Sequence, residues 1–192
     1  MIYIIRHGQT QLNQKRVLQG RSNWPLNETG IRQAEEAAKL LCGVPFHMVF
    51  SSPLIRAVET ARIIAPDCEI QCDERLIEMD YGPYEGMDLS SMPPEVKTFF
   101  QDFIHNPAPD GMEQLDHVVR RAGEFLEEQC RSPLNILLST HAIAMKGMLE
   151  YLTPGSNGSY WSKYIGNCEI YTAGYSNGSF SVPVPLIRNL PD

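Results

Sequence analysis

Two histidines, two arginines and a glutamate stand at positions where chemistry is expected. Arg6-His7-Gly8 directly follows the apolar run Ile2–Ile5. Arg56 lies shortly after Met48-Val49-Phe50 and Ser51-Ser52, and Thr140-His141 follow Ile136-Leu137-Leu138. Two arginines aimed at one point form a bidentate anion clamp. A phosphoryl group suits the clamp better than a carboxylate, because further positive groups match its three equatorial oxygens. Phosphoryl transfer then needs positioning, charge stabilisation and a nucleophile. A neutral imidazole nitrogen, here that of His7, can attack phosphorus in line and form a phosphohistidine. Gly8 lets the backbone approach a ligand closely, and its carbonyl can fix the tautomer of His7. A leaving alkoxide needs a proton. Glu78, in Leu76-Ile77-Glu78-Met79, is the preferred donor, since flanking apolar side chains are expected to raise its pKa. Asp80 and Glu85 are the nearby alternatives.

The elements that must position these residues alternate between short β-rich runs and longer helical ones. Ile2 to Ile5 reads as a buried central strand. A long polar stretch, Gln9 to Asn27, follows, and ordered loops of that length tend to be functional. Asn27 or Thr29 caps a helix running to about Leu41, with Ile31, Ala34, Ala38 and Leu41 on one face and Gly43 ending it. Met48-Val49-Phe50 is the next strand. Ser52-Pro53 reads as an N-cap with proline at the first helical position, opening a helix to about Ile64. Glu69 to Cys72 and Leu76-Ile77 read as short extended pieces. Five prolines between Gly82 and Pro109 mark an inserted lid at about 82–112, with one short helix around Val96 to Ile104. Glu113 to Cys130 is the clearest helix, with Leu115, Val118, Val119, Ala122, Phe125 and Leu126 as its apolar stripe. Ile136-Leu137-Leu138 is a strand, Ala142 to Tyr151 a helix, and Cys168 to Val182 two strands joined by Gly174, Asn177 and Gly178. The alternation predicts an α/β fold, a mainly parallel sheet covered by helices on both faces as a three-layer α/β/α arrangement. Ligands bind such sheets at the carboxyl ends of the strands, where Arg6, His7, Arg56 and His141 all fall.

Composition bounds the rest. The chain has 192 residues, 43% hydrophobic and 20% charged, and a net charge of −7. This is globular composition and one domain's worth of chain, residues 1–192. There is no basic footprint for nucleic acid. Five scattered cysteines, an odd number, favour a reducing cytosol over a disulfide scaffold. Cys68 and Cys72 lack zinc or redox spacing, so no metal or cofactor is expected. No signal peptide and no run of about 18 apolar residues is visible, so a cytoplasmic protein without membrane contact is expected. His47, His105 and His117 have no motif around them and read as structural or exposed.

With these residues in view, the sequence resembles the histidine phosphatase superfamily, also called the phosphoglycerate mutase-like family, over nearly the whole chain. Arg6-His7-Gly8-Gln9-Thr10 with Asn13 matches its opening signature. Gln19-Gly20 and Pro25-Leu26-Asn27-Glu28-Thr29-Gly30 match the next block, and Ser51-Ser52-Pro53-Leu54-Ile55-Arg56-Ala57 with Thr60-Ala61 a third. Leu76 to Gly86 is similar to a fourth, with Tyr84 where the family has tryptophan. The glycine that usually follows the second histidine is Ala142 here. The resemblance implies a phosphoglycerate mutase-like fold and a set of roles. His7 is the phosphorylated nucleophile, Arg6, Arg56 and His141 hold the phosphoryl oxygens, and Glu78 is the general acid and then the base for water. Asn13, Gln19 and Gly20 line the phosphate pocket, together with a backbone contact at Ala142.

The segment that selects the substrate is acidic. From Met79 to Val119 it carries eight Asp and Glu residues against one base, Lys97. Such a segment opposes a second phosphate. The expected activity is therefore metal-free hydrolysis of a small-molecule phosphomonoester, with phosphoglycerate mutase-type transfer as the alternative. Most of the phenylalanines Phe99, Phe100 and Phe103 are expected to pack the lid helix onto the domain, and the sequence leaves open whether these residues, Tyr81 and Tyr84 only pack the lid or also meet an apolar or aromatic alcohol moiety. A metallohydrolase lacks a histidine cluster to support it, and a silent binding module on the same fold conflicts with the intact set His7, Arg6, Arg56, Glu78 and His141. The aromatic cluster of Tyr160, Trp161 and Tyr164 suits a core or an interface equally.

Overall fold

The structure, a computed structural model, describes residues 1–186. Its centre is a six-stranded sheet in the order β3 (Ile70–Cys72), β2 (Met48–Ser51), β4 (Ile136–Thr140), β1 (Ile2–Arg6), β5 (Ile170–Ala173) and β8 (Val184–Pro185). β1, β2, β3 and β4 run parallel. β5 pairs antiparallel with β1, and β8 with β5. α2 (Glu28–Leu40) and α3 (Ile55–Ile64) cover one face, packing Ala37, Ala61 and Ile64 on Ile5, Val49 and Leu137. α5 (Leu115–Gln129) and α6 (Ala142–Leu152) cover the other, where Phe125, Leu126, Met145 and Leu149 meet Ile2, Ile4, Ile136 and Leu138. Covered on both faces, β4 is buried at every residue. Its Ile136, Leu137 and Leu138 side chains each contribute about 1.5–3 kcal/mol by leaving water.

The register decides where the site lies. Arg6 pairs with Thr140 and Ser51 with Ser139, so β1, β4 and β2 end at the same level. The ladder continues one residue further on each side, His7 N–H to Thr140 O at 2.9 Å and Ser52 N–H to Ser139 O at 3.0 Å. The three strand ends expected to converge are therefore neighbours.

The structure departs from several sequence expectations. The polar stretch after β1 contains a one-turn helix, α1 (Gln11–Gln14), which begins in a reciprocal cap between Thr10 and Asn13. Ile31 is exposed, and the buried face of α2 runs through Gly30, Ala34 and Ala37. α3 begins at Ile55, two residues later than the proline suggests. Asn23 Oδ1, from the loop before α2, accepts the Ile55 N–H at 2.7 Å, and this supplies the cap expected of Ser52. Glu74–Leu76 is a 3₁₀ turn and not an extended piece. The short helix in the 82–112 segment, α4, spans Pro94–Gln101 and stops at Asp102. After β5, the tail forms a separate two-residue hairpin, β6 (Tyr175–Ser176) and β7 (Ser179–Phe180). Asn177 and Gly178, both at positive φ, make its turn.

Residues 82–112 pack on the end of the sandwich through their own apolar cluster. Val96 and Phe99 of α4 meet Met79, Tyr81, Val118, Ile143 and Trp161. The phenylalanines therefore serve packing first, as expected, with Phe99 fully buried and Phe100 and Phe103 at its margin.

Candidate active site

His7 leaves β1 buried, in a fixed orientation. Its Nδ1 lies 2.7 Å from Gly8 O. A carbonyl only accepts, so Nδ1 carries the proton and Nε2 carries the lone pair. Burial first, and then the charges of Arg56 and Arg6, hold the His7 pKa well below the ordinary 6.5, and the Gly8 hydrogen bond opposes them only weakly. The ring is neutral at neutral pH. The Asn167 amide donates to His7 O at 2.9 Å and fixes the backbone. Gly8 is needed for a reason other than ligand approach. A Cβ there would lie 2.4 Å from Gly30 O at the start of α2, and one on Gly30 would lie 2.1 Å from Gln9 O. The two glycines let the loop after β1 lie directly on the helix.

Arg56, in the first turn of α3, is fully buried. Its Nε donates to His7 Nε2 at 3.2 Å, Nη1 to Ser22 O at 2.8 Å and Nη2 to Gly20 O at 2.7 Å. Burial lowers its pKa to about 10, against the opposing pull of Glu78 and Glu85, so it stays charged at neutral pH. The loop that receives Arg56 is held from behind. The backbone N–H groups of Gly20, Arg21 and Ser22 all donate to the Glu85 carboxylate at 3.0–3.3 Å. Gly20 was expected to line the phosphate pocket. Its N–H is bound to Glu85 and its C=O to Arg56, so its polar backbone groups seat the arginine.

Arg6 Nη1 donates to Ile165 O at 2.6 Å, while its Nε is buried without a partner among the described residues. Gln19 Oε1 accepts the Thr10 hydroxyl at 2.6 Å and the Asn13 amide at 3.5 Å, and its Nε2 is likewise buried without a partner among them. Asn13 Oδ1 accepts Thr10 N–H, so the amide caps α1 as well as facing Gln19.

His141 follows β4 as the N-cap residue of α6. Its Nε2 is 2.7 Å from Ser52 Oγ, its Nδ1 is buried without a partner among the described residues, and its ring centroid is 5.1 Å from that of His7. Burial, then the charges of Arg56 and His7, push its pKa well below 6.5. Glu78 comes from the loop after the 3₁₀ turn. Leu76 and Met79 around it are buried as expected, but the carboxylate itself meets backbone amides. Oε1 accepts Met79, Ile143 and Ala144 N–H at 2.9–3.1 Å, and Oε2 accepts Ile143 N–H at 3.3 Å. The carboxylate therefore sits on the N-terminus of α6, where unpaired amides and the helix dipole favour an acidic side chain. Ala142 is the first residue of that helix.

Sequence reasoning missed the supports. Ser52 holds His141, and Thr60 Oγ1 accepts Gly8 N–H at 3.1 Å. Arg121 Nη1 donates to the carbonyls of Ile77 and Arg75, both at 2.7 Å. Its Nε and Nη2 pair with Glu113 at 2.8 and 3.2 Å. Glu113 in turn accepts Asp80 N–H at 3.1 Å through its side chain and donates its own N–H to Asp80 O at 2.8 Å. This pair grips both ends of the segment that carries Glu78. A signal was present, since Arg121 falls on the buried stripe of α5 between Val118 and Ala122. Asn167 had no local signal. Asp80, an alternative acid, pairs with the exposed Arg21, and Glu85 is taken by its three amides. Among the described residues, no three His, Cys, Asp or Glu side chains gather as a metal site.

Comparison with known proteins agrees with this geometry. Fructose-2,6-bisphosphatase TIGAR of Xenopus tropicalis is 40% identical over 135 residues, which is 67% of this chain and 49% of that protein. The chain thus spans about half the length of that relative. A Hydrogenobacter thermophilus protein named provisionally as phosphoserine phosphatase 2 is 30% identical over 175 residues, 88% of this chain and 86% of that one. The crystal structure of phosphoserine phosphatase from Entamoeba histolytica in complex with 3-phosphoglyceric acid superposes with a TM-score of 0.83. It is 27% identical, covering 97% of this chain and 94% of that one. The sequence profile of the histidine phosphatase superfamily (branch 1) matches residues 2–184. With Arg6-His7-Gly8 at the end of β1 and His141 at the end of β4 beside it, the chain belongs to the histidine phosphatase superfamily.

Proposed function

We propose that this protein hydrolyses phosphomonoesters of small molecules through a phosphohistidine at His7, without metal or cofactor. The observation that carries the reading is a set of buried polar atoms. Arg6 Nε, Gln19 Nε2, Ser22 Oγ and His141 Nδ1 lack partners among the described residues. Buried polar groups are otherwise paired almost without exception, and all four belong to residues around His7. A phosphoryl group supplies the acceptors that they need.

In this reading His7 Nε2 attacks phosphorus in line, the P–O bond to the alcohol breaks, and Glu78, which enters the step protonated on Oε2, the oxygen with the single 3.3 Å amide contact, gives that proton to the leaving oxygen. Glu78 then takes a proton from water, which attacks the phosphohistidine and frees phosphate and His7. Arg6 and Arg56 neutralise the equatorial oxygens. With Ser52 O–H donating to Nε2, His141 carries its proton on Nδ1 and donates it to the same group. Gln19 Nε2 and the Ala142 N–H add neutral donors, with Asn13 orienting Gln19. Residues 82–112 form the lid over the leaving group. Mutase-type transfer between two esters brings a second phosphate into the site, and the acidic 79–119 segment opposes that. The five free thiols, an odd and scattered set, support a reducing cytosol, and the net charge of −7 favours neither nucleic acid nor an anionic membrane.

The test is hydrolysis of p-nitrophenyl phosphate in excess EDTA by wild type and His7→Ala. Activity should survive EDTA and fall by at least about 10³-fold in the variant, as when a nucleophile is removed. Loss to EDTA alone, or interconversion of 2- and 3-phosphoglycerate faster than hydrolysis, overturns the reading.

A further inference from the structure

Lys146 is a buried cation that the proposed reaction does not use. It lies four residues after Ala142 on α6, hence on the same face and about 6 Å further along the axis. Helical side chains tilt toward the N-terminus, which brings the amine back toward the end that carries Glu78 and His141. An ammonium has three donors. Lys146 uses one, to Trp161 O at 2.8 Å, and sits 5.0 Å over the Phe103 ring. Among the described residues no carboxylate pairs with it. The residue is 8% exposed. Burial pulls its pKa down to about 8, Glu78 draws it up and Arg6 draws it down, so the amine lies within the field of both site residues.

The amine lines a cavity of about 280 Å³ walled by Phe100, Phe103, Trp161 and Tyr164, with Asp102 and Lys163 also on its lining. Two of its walls lead back to the site. Phe100 lies 6.0 Å from the Tyr81 ring, three residues beyond Glu78. The segment holding Trp161 continues to Ile165, whose carbonyl receives Arg6. A buried ammonium without a counter-charge is costly, and an aromatic-walled cavity with one such group is the usual form of a small-molecule subsite.

We infer that this cavity is the leaving-group subsite and takes an aromatic or apolar alcohol bearing one carboxylate, which pairs with Lys146 Nζ. The inference rests on the phosphohistidine reading, since it is the released alcohol that would lie there. Lys146 and Lys163 against Asp102 leave the lining one net positive charge, which matches one negative charge, and the acidic residues of the 79–119 segment oppose a more highly charged group.

The test compares 4-carboxyphenyl phosphate with 4-carbamoylphenyl phosphate, two esters of similar shape and leaving-group acidity. Wild type should favour the carboxylate by about 10- to 100-fold in kcat/KM, the range for a hydrogen-bonded buried charge. In Lys146→Met that ratio should fall to about 1, and Lys146→Arg should restore most of it. A wild-type ratio near 1 overturns the inference whether or not the variants fold, and so does a ratio unchanged in Lys146→Met. If neither ester is hydrolysed, or if His7→Ala hydrolyses both at the wild-type rate, the phosphohistidine reading falls and the subsite with it.

Discussion

Arg121→Met should destabilise the protein by about 3 kcal/mol and slow alkyl phosphate hydrolysis far more than that of p-nitrophenyl phosphate. The side chains of Arg121 and Glu113 are 8% and 5% exposed, and removing one partner of a buried pair costs about 3–5 kcal/mol. Glu113 keeps His117 at 2.6 Å and Arg21 at 3.4 Å, both nearly half exposed, which places the loss at the low end of that range. In a chain of this length, about 3 kcal/mol lowers Tm by roughly 6–12 °C. The same change strips a donor from the carbonyls of Ile77 and Arg75, so the segment bearing Glu78 loosens. An alkoxide must be protonated to leave, whereas p-nitrophenolate leaves almost unaided. Misplacing the proton donor should therefore cost alkyl esters about 10²-fold and the aryl ester much less. Thermal unfolding and kcat/KM on both esters read the two effects, and Arg121→Met with Glu113→Gln should recover part of the lost stability. Equal losses on the two esters, or a Tm shift under about 2 °C, would refute the reasoning.

Gly8→Ala places a methyl 2.4 Å from Gly30 O. Backbone meets backbone there and neither side yields cheaply, so a loss of about 1–3 kcal/mol and of most activity is expected, measured by denaturant unfolding and p-nitrophenyl phosphate turnover. His7 and His141 have folded pKa values depressed well below the 6.5 of the unfolded chain. Between those values and 6.5 the unfolded chain binds more protons, so stability should decline as pH falls below 6.5. The acid limb of kcat/KM should lie well below 6.5, because His7 stays neutral until then, and a limb centred at or above 6.5 would contradict this environment.

The sheet and its site ends were legible because they rest on local patterns. Each β-rich run feeds a polar or charged residue directly into a loop, and a parallel sheet gathers those ends on one edge. The cap of α3 was not legible, because Asn23 reaches it from a distant loop and the nearby Ser52 is the better local signal. Ile31 was misplaced by spacing alone, since Gly30 must face inward to accept the Gln9 backbone and this turns the helix. The roles of Glu85, Asn167 and Arg121 depend on backbone groups that no side-chain pattern reveals. Gly20 matched a family block, yet its own polar groups serve Arg56 and Glu85, a distinction that only coordinates make.

The strand order carries a consequence for how the protein comes into being. β4 lies between β1 and β2, so the first two strands cannot complete their pairing until Ile136–Thr140 has arrived. During synthesis, which proceeds from the N-terminus, both strands wait with open edges while about 85 residues follow β2. The nucleophile is made before β2, but its neighbour His141 arrives only with the strand that closes the gap. Long-range pairing of this kind is slow and leaves edges exposed. Hydrolysis would then appear in a single late step, and chaperone demand should peak just before β4 emerges.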